Sequence, residues 1–361
     1  MPDQTTETTH RRCEASEAQC GNPEPTQPTE DRPLVTFALF AYNQEKYIRE
    51  AVEGAFAQTY EPLEIILSDD CSTDRTFEIM EEMALEYTGA HKVILNKNLS
   101  NLGLAGHINT VMTMVSGELI VVAAGDDVSF AERTSILVRE WIRGGKVSGS
   151  LYSHFRTIDK NGDRSPPRER SNAYKVSISD RSISLLNNFS GISGCSHAWT
   201  KDLFEIFGPL DKRIDHEDVS IPLRSLMVGA IAFIPIDLVD YRLTEGSITR
   251  KTFVNSAERL KKMERYWSGR VAIFDQFERD VMVARDKRLV NENSLNWLFN
   301  KAKQAKIYAI NQQSLYLSGR LKRLLIVINP FSSLTFRDRL KWFVIGIIPS
   351  IYGSKFLRYL R

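Results

Sequence analysis

Cysteine is scarce. Cys13, Cys20, Cys71 and Cys195 are the only four in 361 residues, too few and too scattered for a disulfide framework or for the paired ligands of a zinc site. The six histidines are equally dispersed and form no HExxH element, so metal chemistry of the Cys/His type is not expected. Long apolar runs are missing as well: residues 343–348 and the broken stretch 231–239 fall far short of the roughly 20 residues that span a bilayer. Asp3, Glu7, Arg11 and Arg12 stand where a signal peptide would carry its apolar core. These absences point to reduced thiols, a cytoplasmic setting and no transmembrane helix. No internal repeat is visible.

Charge of one sign is missing locally rather than overall. The net charge is +2, but from Lys301 to Arg361 twelve Lys and Arg face the single Asp338, a net of +11, which leaves −9 on the first 300 residues. Residues 1–32 hold seven acids and three arginines with hardly a large apolar side chain. Such a segment cannot offset the entropy of ordering and is expected to be a disordered tail.

Apolar residues are then arranged in a regular alternation. Residues 34–41 form a near-continuous apolar run, the mark of a strand buried on both faces. Residues 44–58 place Tyr47, Ile48, Ala51, Val52, Ala55 and Phe56 at helical spacing, and 63–68 return to an apolar strand. Helices are predicted over 73–87, 103–115 and 130–143, with strands over 92–95 and 118–124. Strands alternating with helices at these lengths predict an α/β fold with a doubly wound, mostly parallel sheet, whose ligand site lies beyond the carboxyl ends of the strands. Beyond Arg156 the pattern loosens through a polar loop at 161–171, and from Lys251 long amphipathic helices replace the alternation. The resulting organisation is a tail (1–32), a catalytic domain (33–250) and a helical, basic extension (251–361).

Three of the predicted strands end on polar residues: Tyr42 and Asn43 after the first, Asp69 and Asp70 after the second, Asp126 and Asp127 after the fourth. Any one acidic pair at a strand end is more often a turn or a helix cap than a site; three strand ends loaded in this way reverse that balance. Adjacent carboxylates are costly unless a cation compensates them. Mg2+ or Mn2+ bound through Asp126 and Asp127, with phosphate oxygens and water completing the shell, suits a diphosphate ligand. The run Asp69-Asp-Cys-Ser-Thr-Asp74 leads from strand into helix, where a carboxylate can accept from a base N–H or a ribose hydroxyl while Ser72 or Thr73 caps the helix.

These motifs, Val35 to Asn43, Glu64 to Asp74, Asn101-Leu-Gly103 with Asn109, and Gly125-Asp-Asp127, resemble in order and spacing the family 2 glycosyltransferases with the A-type fold. The resemblance covers about residues 33–250. It implies an inverting transfer from a nucleoside-diphosphate sugar, with uridine diphosphate as the expected nucleotide and a glycan or lipid-linked hydroxyl as acceptor. It further implies a role in bacterial surface polysaccharide or lipopolysaccharide synthesis. It places Phe40, Tyr42, Asn43, Asp69 and Asp70 around the nucleotide, with Asn101, Gly103, Asn109 and Asp126 completing the nucleotide-sugar site and Asp126 and Asp127 on the metal. Asp218, in Asp215-His-Glu-Asp218, resembles the family's catalytic base; taken alone it also reads as an acidic first helix turn stabilised by the dipole. Two departures stand out. Ala124 occupies the first position of an Asp-x-Asp metal motif, and Thr244 replaces the histidine of the family's Tyr-Arg-x-His element.

The segment from Arg320 to Arg361 interleaves cations with Leu, Trp, Phe and Tyr. It suits either contact with an anionic membrane surface, making the protein peripheral on the inner face, or a helical cap on the catalytic core. Nucleic acid is not an expected partner, because the catalytic half is acidic and no recognition motif occurs. The competing readings are a catalytically idle nucleotide-sugar-binding subunit, which Ala124 and Thr244 favour, and a nucleotidyltransferase, which the lack of a glycine-rich phosphate loop after the first strand disfavours.

Overall fold

Val35 to Ala41 is buried along almost its whole length and takes the centre of a parallel block. In the computed structural model, which describes residues 32–159, 162–167, 192–243 and 256–317, β1 (Val35–Ala41) lies between β2 (Leu63–Asp69) and β4 (Leu119–Ala124). Strand β3 (Lys92–Lys97) flanks β2, and all four are parallel. Helices α1 (Ile48–Phe56), α2 (Thr76–Glu86) and α3 (Gly103–Met112) make the crossovers. Register decides where the strands stop: Ala41 pairs with Asp69, and Phe40 with Ala124. The loops after β1, β2 and β4 therefore leave the sheet at one level.

The second half is less regular. It runs through β5 (Val128–Ser129), α4 (Arg133–Arg143), β6 (Gly149–Ile158), β7 (Ala198–Thr200), α5 (Asp202–Phe207), α6 (Glu217–Val228) and β8 (Ala230–Arg242). The eight strands lie in the order β3-β2-β1-β4-β7-β6-β8-β5. Strand β7 is antiparallel to both β4 and β6, and β5 to β8, while β6 and β8 are parallel. The sheet is thus mixed and mostly parallel, with the reversals confined to this half.

The alternation of side chains along β1 feeds two apolar layers. Val35, Phe37 and Leu39 pack with Ile48, Val52, Leu137 and Trp141 on one face. On the other, Ala38, Ile66, Ile108, Trp199 and Val219 share a cluster with Ala272, Ile273, Phe277, Leu298 and Ala302. The last five come from α7 (Ser256–Asp286) and α8 (Glu292–Leu317), so the C-terminal helices complete the core over the sheet. A fully buried guanidinium fixes their attachment: Arg224 of α6 donates to Asp280 of α7 at 2.8 and 3.2 Å and to the Gly208 carbonyl at 2.8 Å. Among the described residues no helix is long and apolar enough to cross a membrane. The acidic tail, Thr244 and the basic segment 320–361 lie outside the described residues.

Candidate functional site

The first two strand ends are stitched together by their own polar side chains. Asn43, held at φ +53°, accepts from the Thr73 N–H at 2.8 Å and donates its own N–H to Ser72 Oγ at 2.8 Å. Asp69 accepts from the Ser72 N–H at 2.8 Å and from the Ser72 hydroxyl. Ser72 and Thr73 therefore serve the loop rather than capping α2, whose N-cap position falls to Arg75 without a side-chain cap bond. Asp74, just ahead of it, accepts through Oδ1 from the Thr76 N–H at 3.0 Å and from its hydroxyl at 2.5 Å, so one of the free N–H groups at the helix start is still satisfied. Although partial burial works against ionisation of Asp74, its bonds to Thr76 and to the Glu45 N–H hold it below the ordinary carboxylate range.

Asp70 reaches a third segment. One oxygen accepts from Asn98 at 2.8 Å and the Leu102 N–H at 2.9 Å, the other from the Gly103 N–H at 3.0 Å. Asn101 Oδ1 shares that last donor at 3.1 Å. Asp70 thus brings Asn101 and Gly103, at the entrance to α3, up to the β2 end. Tyr42 stands exposed at the rim, and Phe40 meets His107 of α3 edge to face at 5.0 Å. His107 Nε2 lies 2.6 Å from Ser68 Oγ, and burial keeps the ring below its ordinary pKa against the pull of Asp70 and Asp69. Asn109 is not part of this group: both ends of its amide bond the Leu210 backbone at 2.8 Å, tying α3 to the segment before α6.

At the β4 end, Gly125 donates to the Phe40 carbonyl at 2.9 Å, and a Cβ there would fall 2.5 Å from Gln44 Oε1 and 3.0 Å from Ala41 and Ile48. That close approach sets Asp126 and Asp127 against the β1 loop. Burial raises both carboxyl groups above their ordinary range, and the neighbouring charge of Asp126 pushes Asp127 further. Asp127 Oδ1 accepts from the Arg242 N–H at 2.8 Å; the Arg242 guanidinium donates to the Asp126 carbonyl and to Glu50, each at 2.9 Å, and covers Tyr47 at 4.8 Å. Behind the pair, fully buried Arg133 donates to Ser129 Oγ and the Val122 carbonyl, and its charge also reaches Asp127. The Cys195 thiol lies within the fields of Asp127 and Arg133, and burial drives its pKa upward.

Whether these residues suit a divalent cation follows from their donors. Among the described residues no group of three or more His, Cys, Asp or Glu is arranged to hold a metal. Two neighbouring carboxylates with elevated pKa values remain, the arrangement Mg2+ accepts when phosphate oxygens and water supply the rest of its shell. The pair fits a cation carried in with a diphosphate.

Asp218 sits in the first turn of α6, and its carbonyl accepts from the Ile192 N–H at 3.1 Å. Burial raises the carboxyl group, with His216 and Arg270 opposing. Its Oδ1 has no hydrogen-bond partner among the described residues. Beside it Glu217 is pushed up to about 8 by burial and by Asp218.

The carboxylates stood out in the sequence; Arg242 as their partner, Arg133 beside Asp127, Gln44, whose side chain bonds Asp126, and Arg270 did not. Arg242 had a visible signal, the Tyr241-Arg pair; Arg133 and Arg270 lie in ordinary amphipathic helices where nothing marks an arginine as buried.

Comparison with known proteins adds the following. The family model for glycosyl transferase family 2 matches residues 36–206. EpsE of Bacillus subtilis is 37% identical over 101 residues, 28% of this chain and 36% of that protein. The chondroitin synthase of Escherichia coli is 30% identical over 131 residues, 36% of this chain and 18% of that protein. The chain thus spans well under half the length of either relative. Among solved structures, S. aureus TarS 1-349 in complex with UDP superimposes with a TM-score of 0.51 at 14% identity, covering 90% of this chain and 85% of that one. That likeness is one of fold.

Proposed function

The chain belongs to glycosyl transferase family 2, and on that premise we propose that it moves a sugar from a nucleoside diphosphate, UDP the favoured one, to a hydroxyl acceptor with inversion. The observation that carries this reading is the level ending of β1, β2 and β4, which gathers Asp70, Asp126 and Asp127 at one edge of the sheet. Tyr42 and the Asp70–Gly103 corner would take the nucleoside. Asp126 and Asp127 would hold Mg2+ or Mn2+ against the diphosphate. The cation, when bound, offsets the charge that grows on the departing diphosphate. Asp218 takes the proton of the acceptor hydroxyl as its oxygen bonds the anomeric carbon and the bond to the diphosphate oxygen breaks. A buried carboxyl group with an elevated pKa is a stronger base than a solvated one, which suits this role.

The acceptor in this reading is a glycan or a lipid-linked saccharide of the bacterial surface; the polymer-forming name of the chondroitin synthase supports a polysaccharide product. Contact of the segment 320–361 with an anionic inner-membrane surface belongs to the same proposal and predicts salt-sensitive sedimentation with anionic vesicles.

The test is transfer or hydrolysis of labelled nucleotide sugars, UDP-linked ones first, with and without Mn2+. Product of inverted anomeric configuration, lost in Asp218→Asn, supports the proposal. Tight donor binding without turnover under any condition would leave the idle subunit, which Ala124 favours, as the better account.

A further inference from the structure

The turn that carries Asp218 leans on a helix beyond the residues matched by the family model. Gly269 of α7 approaches so closely that a Cβ there would fall 2.1 Å from Asp215 Oδ1. That same oxygen lies 2.6 Å from His216 Nδ1. The His216 ring meets Tyr266 of α7 edge to face at 5.7 Å, and the Arg270 guanidinium lies 5.7 Å from the centre of Tyr266. Tyr266, Gly269 and Arg270 are three and four residues apart and so share one helical face. That face is turned toward the acidic turn.

The charges facing one another here can be counted. Asp215, Glu217 and Asp218 put three carboxyl groups into four residues, opposed by His216 from the same turn and Arg270 from α7. Burial and the charge of Asp218 push Glu217 up to about 8. His216 is raised above its ordinary value: burial acts against its charge, but the bond to Asp215 and the charges of Asp215 and Asp218 outweigh it. Asp218 Oδ1 has no hydrogen-bond partner among the described residues, and against burial the charges of His216 and Arg270 favour the ionised carboxylate.

We propose that His216 and Arg270 are positioning residues for Asp218, cationic neighbours of the acidic turn held against it by the Tyr266–Arg270 face of α7, which makes α7 part of the active site. This rests on the reading of Asp218 as the base.

The direct test is histidine NMR on the full chain. With six histidines in the sequence, His216 is identified by the signal lost in His216→Gln. Its titration midpoint in the parent protein is expected above the ordinary histidine value. Asp218→Asn lowers that midpoint by about one pH unit, Arg270→Gln raises it, and Arg270→Lys restores it. Gly269→Val, which displaces Asp215, lowers it. In kinetics, Arg270→Gln shifts the acidic limb of kcat/KM upward with little change in donor KM, and Arg270→Lys again restores it. A His216 midpoint indifferent to both Asp218→Asn and Arg270→Gln overturns the proposal. If Asp218→Asn abolishes transfer while the acidic limb ignores Arg270→Gln and His216→Gln, the base stands and its support falls. Full transfer by Asp218→Asn removes both.

Discussion

A carboxylate almost sealed from water beside a second carboxylate opposes folding of the protein that carries it. Asp127 is 3% exposed, and burial together with Asp126 raises its pKa well above 3.8. The folded state therefore holds that proton more tightly than the unfolded chain, and without a bound cation stability falls as pH rises above about 4. Asp127→Asn keeps an oxygen for the Arg242 N–H, so in chelator it should raise the melting temperature at pH 7 and flatten the pH dependence. Turnover should fall on the order of 100-fold or more, because the diphosphate loses its counter-charge. A lower melting temperature would show that the carboxylate contributes to the fold rather than to the ligand.

His197 carries the opposite signature. It is fully buried with Nε2 2.9 Å from Ser150 Oγ, and burial, with Arg133 nearby, lowers its pKa to about 3. Between pH 6.5 and 3 the unfolded chain binds a proton the fold refuses, so stability is lost as pH falls through that window. By pH 4.5 the loss is about 2–3 kcal/mol. Denaturant melts of His197→Gln at pH 7 and 4.5 should show a smaller acid loss than the parent. At this scale the sequence revealed the acids, which stand in pairs after apolar strands. It showed Arg242 in the Tyr241-Arg pair but not as the partner of Asp127, to which Arg242 returns from 115 positions along the chain when β8 pairs with β5.

Among the elements, the first four strands were legible because each is built round an apolar stretch bounded by polar residues, as short as Val93 to Leu95 in β3. Strand β7 was not: it has three residues, Ala198 to Thr200, too short for any periodicity, yet it reverses the sheet between β4 and β6. Asn109 shows the converse. It belongs to a motif that suggests ligand contact, but its amide is committed to Leu210. Asn109→Ala should cost about 1–3 kcal/mol in denaturant unfolding, the price of two unpaired backbone groups, and leave donor affinity nearly unchanged. Weakened donor binding at unchanged stability would return Asn109 to the site.

For the whole molecule, the compositional break near residue 251 does not coincide with a break in packing. Ala272, Ile273, Phe277 and Val281 are almost inaccessible and lie in the same cluster as Ala38 and Trp199, and large side chains of this kind contribute roughly 1.5–3 kcal/mol each when buried. Removal of α7 would also strand Arg224, and breaking a buried ion pair costs about 3–5 kcal/mol. A chain ending at residue 250 should therefore fail to fold, whereas one ending at 319 should retain a cooperative melt. Circular dichroism melts of the two distinguish a core-forming helical region from an appendage. Sequence pattern displayed the amphipathic helices but not their destination, since an apolar stripe does not specify the surface it covers.

The central claim, a donor site built on the ends of β1, β2 and β4 with a cation at Asp126 and Asp127, is tested most directly by calorimetric titration with UDP-sugars in Mn2+ and in chelator. The account predicts binding in Mn2+ that weakens by at least about tenfold in chelator and is lost in Asp127→Asn even with Mn2+ present. Equal affinity in all three conditions would contradict it.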